Sequence, residues 1–262
     1  IEVQCKLLAK NSGLSGALLI GGTPMGRQIS DIRRGPRIII GTPSRIKDHI
    51  EQGLLKLGNC NMVVLDEVDR MLDMGFINDV RIILGKLPEN HQAFFFSATI
   101  SPEINSLIET FAHDPVVVNV KYGETSLNVN QDVVRFSGNH EKLSSLHDIL
   151  ISGNVSKAII FGKTKYGVER LGKELDARGF KVTSLHGGKN QGQRNRALDS
   201  FRDNRINILV ATDVAARGID VKDISHVINY DLPQTYDDYV HRIGRAGRAD
   251  TPGYALTFVE KP

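Results

Sequence analysis

The chain has 262 residues, of which 40% are hydrophobic and 24% charged, with a formal net charge of +3. At roughly 150 residues per domain that length makes one large or two ordinary domains, and the composition is that of a globular protein rather than a low-complexity one. No apolar run approaches the ~18 to 20 residues of a spanning helix, which excludes a helical membrane protein.

Ile1 opens the chain in place of an initiator Met, and Ile1-Glu2-Val3-Gln4-Cys5-Lys6 lacks the basic start, apolar middle and cleavage site of a signal peptide. We read the N-terminus as a cut end. Cys5 and Cys60 are too few for a disulfide scaffold, and the eight His contain no H-E-x-x-H, so no zinc site is expected. Reduced thiols of this kind point to a cytoplasmic protein. Charge is uneven: residues 1–120 hold 12 Lys+Arg against 13 Asp+Glu, and residues 121–262 hold 21 against 17. That excess permits phosphate binding in the second part.

In chain order, short β-branched or aromatic runs predict strands at 37–41, 62–66, 93–97 and 116–120. Each is almost continuously apolar, as expected of parallel strands buried on both faces. Between them 44–52, 68–84 and 101–112 read as helices, the last with Ser101 as N-cap and Pro102 in its first turn. Residues 121–130 (KYGETSLNVN) turn polar without a helical period and read as a linker. The pattern then restarts, with strands at 131–136, 157–161, 181–185, 206–211, 226–230 and 254–259 and helices at 140–151, 165–178, 191–203 and 235–244. Strands alternating with helices predict an α/β fold with mostly parallel sheets.

Several segments carry chemistry. Asp66-Glu67-Val68-Asp69 follows a buried apolar strand, the end at which open α/β sheets bind ligands. Asp66 there can hold Mg²⁺ through waters and Glu67 can orient an attacking water, although acids at a helix start would also look like this. Ser97-Ala98-Thr99 ends another strand, where its hydroxyls can bond the acidic loop or merely form a turn. The run from Thr212 and Asp213 through Arg217, Gly218 and Asp220 offers backbone N–H groups to phosphate and a carboxylate to a ribose hydroxyl, or is an ordinary loop. His241-Arg242-Ile243-Gly244-Arg245-Ala246-Gly247-Arg248 clusters three guanidiniums, which calls for anions to neutralise them. Gly162-Lys163-Thr164 imitates the end of a phosphate loop, but Lys157 stands where G-x-x-x-x-G-K-[ST] needs Gly, and no other match exists in the chain.

Together with Gly21-Gly22, Thr42-Pro43-Ser44-Arg45, Phe161 to Thr164 and Gln191 to Arg194, these segments resemble the DEAD-box family of ATP-dependent RNA helicases in helicase superfamily 2. The resemblance covers essentially the whole chain. It implies two RecA-like domains: 1–120 as a partial first, ATP-binding domain without its phosphate loop, 121–130 as linker and 131–262 as the C-terminal domain. It implies ATP and Mg²⁺ as cofactors, with Asp66 organising the metal, Glu67 activating water, and Arg245 and Arg248 as arginine fingers. Gly218 and Asp220 would meet the nucleotide. Asp69, Ser97, Thr99 and His241 would couple ATP state to RNA. RNA would be the partner, held through its backbone and without sequence preference by Gly22, Thr42, Arg45, Thr164, His186, Gly187, Arg194 and Thr212.

Two positions depart from the family pattern. Val68 replaces Ala, adding bulk to a tight loop, and Ser44 replaces Gly, which would be strained if positive φ were needed there. The family's adenine-reading Gln, Gly-Lys-Thr phosphate loop and Pro-Thr-Arg-Glu-Leu segments have no match in these residues, so the resemblance implies a fragment that hydrolyses ATP poorly by itself. The alternative is a non-enzymatic RNA- or protein-binding module that kept the fold without ATP turnover. A DNA-directed relative is disfavoured by Asp69 and His241-Arg242-Ile243-Gly244.

Overall fold

Short parallel strands alternate with helices throughout the computed structural model, which describes residues 1–119, 129–152, 154–216, 219, 221, 223–247 and 252–261. The chain divides into two units, Ile1–Asn119 and Val120–Pro262.

The first unit runs α1 (Glu2–Leu8), β1 (Gly16–Leu19), α2 (Met25–Arg33), β2 (Ile38–Gly41), α3 (Pro43–Glu51), β3 (Met62–Leu65), α4 (Val68–Asp73), α5 (Ile77–Leu84), β4 (Gln92–Phe95) and α6 (Pro102–Phe111). β1 pairs in parallel with β2, and β3 with β4. Gly41 is required where β2 turns into α3, because a Cβ there would lie 2.4 Å from the Leu19 carbonyl oxygen. Leu65, Val68, Val80, Leu84, Ile104 and Leu107 form one core, and Ala17, Leu19, Leu55, Leu57 and Ile83 another. α5 serves both, with Val80 and Leu84 turned to the first and Ile83 to the second. At α6 the Ser101 side chain accepts from the Ile104 amide and Pro102 opens the helix, the cap read from sequence.

Three expectations for this unit are corrected. Residues 116–119 form no strand: Val116 is 88% exposed and none of the described strands pairs with them, so a β-branched run has no partner to order it. The helix read over 68–84 is two helices, broken where Gly75 adopts φ 77°. Burial on both faces does not hold for β3 and β4, since Val63, Leu65, Ala93 and Phe95 turn inward or sideways while Met62, Val64, Phe94 and the following Phe96 are exposed. β1 and α2 were illegible because Gly-Ala-Leu-Leu has weak strand propensity and α2 lacks a side-chain N-cap.

The second unit runs β5 (Val129–Phe136), α7 (Gly138–Ile151), β6 (Ala158–Phe161), α8 (Lys165–Ala177), β7 (Val182–Leu185), α9 (Gln191–Arg202), β8 (Ile208–Ala211), α10 (Asp213–Ala216), β9 (His226–Asn229), α11 (Tyr236–Ile243) and β10 (Gly253–Glu260). Of the linker read over 121–130, residues 121–128 lie outside the described residues, and Val129 and Asn130 open β5. Among the described residues the strands form one six-stranded sheet in the order β5-β10-β9-β6-β8-β7. All its pairings are parallel.

Period-2 alternation divides that sheet into two packed faces. Ile159, Phe161, Leu209, Ala211, Val227 and Ala255 pack with Phe201 and Ile243 from α9 and α11. Ile160, Ile208, Val210, Ile228 and Phe258 pack with Leu146, Val168 and Leu175 from α7 and α8. β6, β8 and β9 are buried at every position, the doubly covered pattern that continuous apolar runs imply.

Candidate functional site

The acidic loop stands at the carboxyl end of β3, with Asp66 and Glu67 exposed and Val68 fully buried. Val68 adds its methyls to the core of α4, α5 and α6, so its extra bulk is accommodated. Glu67 holds φ 55°, ψ 52°, a left-handed conformation that a non-glycine residue keeps only where its surroundings enforce it. The enforcement is visible: the Val68 amide donates to the Phe96 carbonyl at 3.1 Å. The Asp69 amide donates to Ser97 Oγ at 3.2 Å, and Asp69 Oδ2 accepts from the Ala98 and Thr99 amides, each at 3.1 Å, and from Thr99 Oγ1 at 3.3 Å. The acidic loop and the Ser97-Ala98-Thr99 loop are therefore one hydrogen-bonded body.

Gly22, Thr42 and Arg45 gather at the carboxyl end of the β1–β2 pair. Gly22 has φ 73° in the loop after β1. Thr42 begins α3 and its amide donates to the Leu19 carbonyl at 3.0 Å, while Arg45 Nη1 donates to the Thr23 carbonyl at 3.4 Å. Buried Gln28 and His49, which sequence reasoning missed, brace this loop. Gln28 Nε2 donates to the Ile20 carbonyl at 2.9 Å and to Thr23 Oγ1 at 2.5 Å, so its Oε1 must accept from His49 Nε2 at 3.0 Å. Burial holds His49 below the ordinary histidine range and so keeps it neutral. Ser44 is not among the residues with positive φ, so it carries no strain there. It sits in the first turn of α3 and donates to Asp79 Oδ2 at 2.8 Å, joining α3 to α5.

In the second unit Thr164, His186, Gly187 and Thr212 follow β6, β7 and β8, adjacent strands of one sheet, and so share its carboxyl edge. Arg194 lies in the first turn of α9 beside that edge. Thr164 caps α8 by accepting from the Gly167 amide at 3.0 Å. Lys163 and its neighbours are tied to Asp231, whose Oδ2 accepts from the Lys163 amide at 2.8 Å and Oδ1 from Lys142 at 2.9 Å. Burial alone would raise the Asp231 pKa, but those donors outweigh it and hold the carboxylate below its ordinary range. The segment 162–164 thus turns directly from strand to capped helix and forms no phosphate loop, in line with the sequence reading.

Arg242 corrects the expectation that the clustered guanidiniums all await anions. It is 3% exposed, bonds Asp213 through Nε at 2.6 Å and Nη2 at 2.8 Å, and donates Nη1 to the Asp231 carbonyl at 2.7 Å and Asn229 Oδ1 at 3.1 Å. The chain itself supplies its anion. Arg245 Nη1 donates to the Ile219 carbonyl at 3.0 Å, and a Cβ on Gly253 would come within 2.3 Å of the Gly247 amide nitrogen, so this segment lies hard against β10. His241 lies on α11. Gly218, Asp220 and Arg248 lie outside the described residues.

Family models for the DEAD/DEAH box helicase and for the helicase conserved C-terminal domain match residues 1–107 and 141–250. The ATP-dependent RNA helicase CshA of Listeria monocytogenes is 44% identical over 92% of this chain and 46% of its own length. The DEAD-box ATP-dependent RNA helicase CshA of Bacillus subtilis is 42% identical over 92% of this chain and 49% of its own. The chain thus spans about half the length of these curated relatives. Among solved structures, S. cerevisiae Dbp5 bound to RNA and ADP BeF3 matches with TM-score 0.83 at 28% identity, over 98% of this chain and 67% of that one. A DEAD box protein from the hyperthermophile Methanococcus jannaschii is 36% identical over 99% of this chain and 72% of its own, with TM-score 0.50. A relative matched that fully decides the family: this chain belongs to the DEAD-box helicases, and its α/β units are of the RecA-like kind.

Proposed function

We propose that the protein is an ATP-dependent RNA helicase of the DEAD-box type, which couples ATP binding and hydrolysis to binding and local unwinding of RNA duplexes. The observation that carries this reading is the bonding of Asp69 to the Ala98 and Thr99 amides, because it ties a loop suited to nucleotide chemistry to a second loop that can report its state. Asp66 offers the hard oxygen donor that Mg²⁺ takes, and one carboxylate with waters and substrate phosphates is a usual complement for that ion. When bound, the ion would neutralise phosphate charge. Glu67, held with its backbone strained, orients the attacking water and takes up its proton. Arg245 and Arg248 stabilise charge on the transferred phosphoryl group, and Gly218 and Asp220 hold the nucleotide. Asp69, Ser97, Thr99 and His241 carry the coupling.

RNA is held along Gly22, Thr42 and Arg45 in one unit and along Thr164, His186, Gly187, Arg194 and Thr212 in the other. These are backbone groups, hydroxyls and guanidiniums, which suit phosphate and ribose rather than base edges, so binding is sequence-tolerant and weakens with salt. No described helix is long and apolar enough to cross a membrane. Cys5 and Cys60, both unpaired with each other, support a cytoplasmic setting. We read the organisation as a first domain over 1–120 and a second that opens with β5 at Val129 rather than at 131, joined by a linker.

Phosphate release with and without RNA tests the reading. The 262 residues contain no G-x-x-x-x-G-K-[ST], so the chain alone is expected to turn over slowly or not at all, whereas a longer protein containing these residues is expected to show RNA-stimulated release. Glu67→Gln in that protein should lower turnover by ~10² to 10⁴. RNA-stimulated release by the 262 residues alone would overturn the low-activity expectation. RNA binding by the longer protein without any turnover would favour the non-enzymatic binding module.

A further inference from the structure

The RNA edge of the second unit is organised by a residue that neither the motifs nor the roles above include. Glu169, on α8, receives at Oε2 the Ser184 hydroxyl at 2.5 Å, His186 Nε2 at 3.1 Å and Lys189 Nζ at 2.8 Å. Those partners run from the end of β7 into the loop that leads to α9. The geometry also assigns the His186 tautomer. Nδ1 accepts from the Gly188 amide at 3.1 Å, so in the neutral ring the proton sits on Nε2 and is donated to Glu169. Gly188 suits this fold-back, since a Cβ there would press on the ring at 3.1 Å. The Lys189 amide donates to the His186 carbonyl at 3.0 Å, and Asn190 closes a capping box with Gln193 at the start of α9. Both nitrogens of the His186 ring are thus bonded within the chain, and the side chain is 10% exposed. Among the groups this loop presents outward is Gly187, which is exposed, and beside it stands the half-buried Arg194, one turn into the helix that the loop caps.

We propose that Glu169 is the positioning residue of this edge: by fixing the Nε2–H form of His186 and anchoring Lys189, it holds residues 186–190 in the one conformation that offers Gly187 and Arg194 to an RNA backbone. The inference rests on the RNA reading above. It replaces the RNA contact that the reading above gives His186 with a role as brace for the loop. A carboxylate hydrogen-bonded to a histidine ring in this way sets both tautomer and ring orientation.

The test uses the 262-residue chain with Glu169→Leu, which keeps bulk and removes every acceptor, and Glu169→Gln, which keeps one acceptor oxygen and removes charge. Affinity for a short fluorescein-labelled oligouridylate is read by anisotropy, and the His186 tautomer by long-range proton–nitrogen spectra of the ring. Glu169→Leu should bind about tenfold more weakly and lose the single Nε2–H form, while Glu169→Gln should stay within about threefold and keep it. Equal affinity for wild type and Glu169→Leu, or equal weakening by both variants, overturns the proposal. If Glu169→Leu fails to fold, a wild-type ring protonated at Nδ1, or a Glu169→Gln ring without the Nε2–H form, overturns it equally. If wild type binds no RNA, the RNA reading of this edge falls, and the ring spectra still decide whether Glu169 orders the loop.

Discussion

Both units contain four-residue parallel strands, yet they bury them differently. β6, β8 and β9 are four-residue apolar strands covered on both faces by helices, and each is buried at every position. β3 and β4 are also four residues long and apolar, but they pack α4, α5 and α6 on one face and leave Met62, Val64 and Phe94 exposed on the other. A valine at a strand centre therefore stabilises according to what lies across from it, not according to the run in which it is written. The catalytic candidates follow the same division. The acidic loop of the first unit is held by backbone and hydroxyl bonds to Ser97–Thr99, whereas the arginine segment of the second is braced by the ion pair of buried Arg242 with half-buried Asp213.

The largest expected effect breaks that brace. Arg242→Ala leaves Asp213 without its partner and removes donors to Asn229 and Asp231, and should destabilise the second unit by about 3 kcal/mol, read as loss of amide-exchange protection in β6, β8 and β9. A matched pair then measures the open face directly. Val210→Thr puts a hydroxyl into a fully buried strand and should cost about 2 kcal/mol, whereas Val64→Thr, at a position 57% exposed, should change stability by no more than ~0.5 kcal/mol. Similar costs in urea titrations of the two variants would show that the outer face of β3 and β4 is covered in solution.

Ser44→Gly restores the residue that the family resemblance expects, yet it should destabilise by about 1 kcal/mol. It removes the hydroxyl bonded to Asp79 and places Gly inside α3. Unchanged or raised stability in thermal unfolding would remove the α3–α5 link from the account. The smallest effect is electrostatic. Lys189, Ser184 and His186 hold the Glu169 carboxyl at about 2, below its ordinary 4.5. A depressed carboxylate stabilises the folded state fully above its unfolded pKa and loses that contribution as pH falls from 4.5 toward 2. Glu169→Gln should flatten the acid side of the stability profile in that window and lower stability near neutrality, where the carboxylate's contribution is fully present.

Much of this was legible in the sequence. Apart from the short α10, which was not expected, the strands and helices of the second unit lie within about two residues of their expected places, because continuous apolar runs and helical periods there reflect a sheet covered on both sides. Asp66, Glu67, Asp69, Ser97 and Thr99 could be named from their places at strand ends. Their mutual bonding could not, since 28 to 30 residues separate the partners. Gln28, His49 and Glu169 carried no comparable signal: each is a polar residue on a helix, and what distinguishes it is the loop it reaches across space. Arg242 was legible only as one of a basic cluster, and its pairing with Asp213 was not.

The order of apolar and polar residues along this chain determined its α/β class, most of its elements and the strand ends where chemistry gathers, because those depend on neighbours a few positions apart. The tertiary structure decided which face of each strand is covered, which arginine is neutralised from within, and which carboxylate meets the ring of His186. Those outcomes depend on atoms brought within about 3 Å from distant positions, where burial and a single hydrogen bond outweigh local propensity.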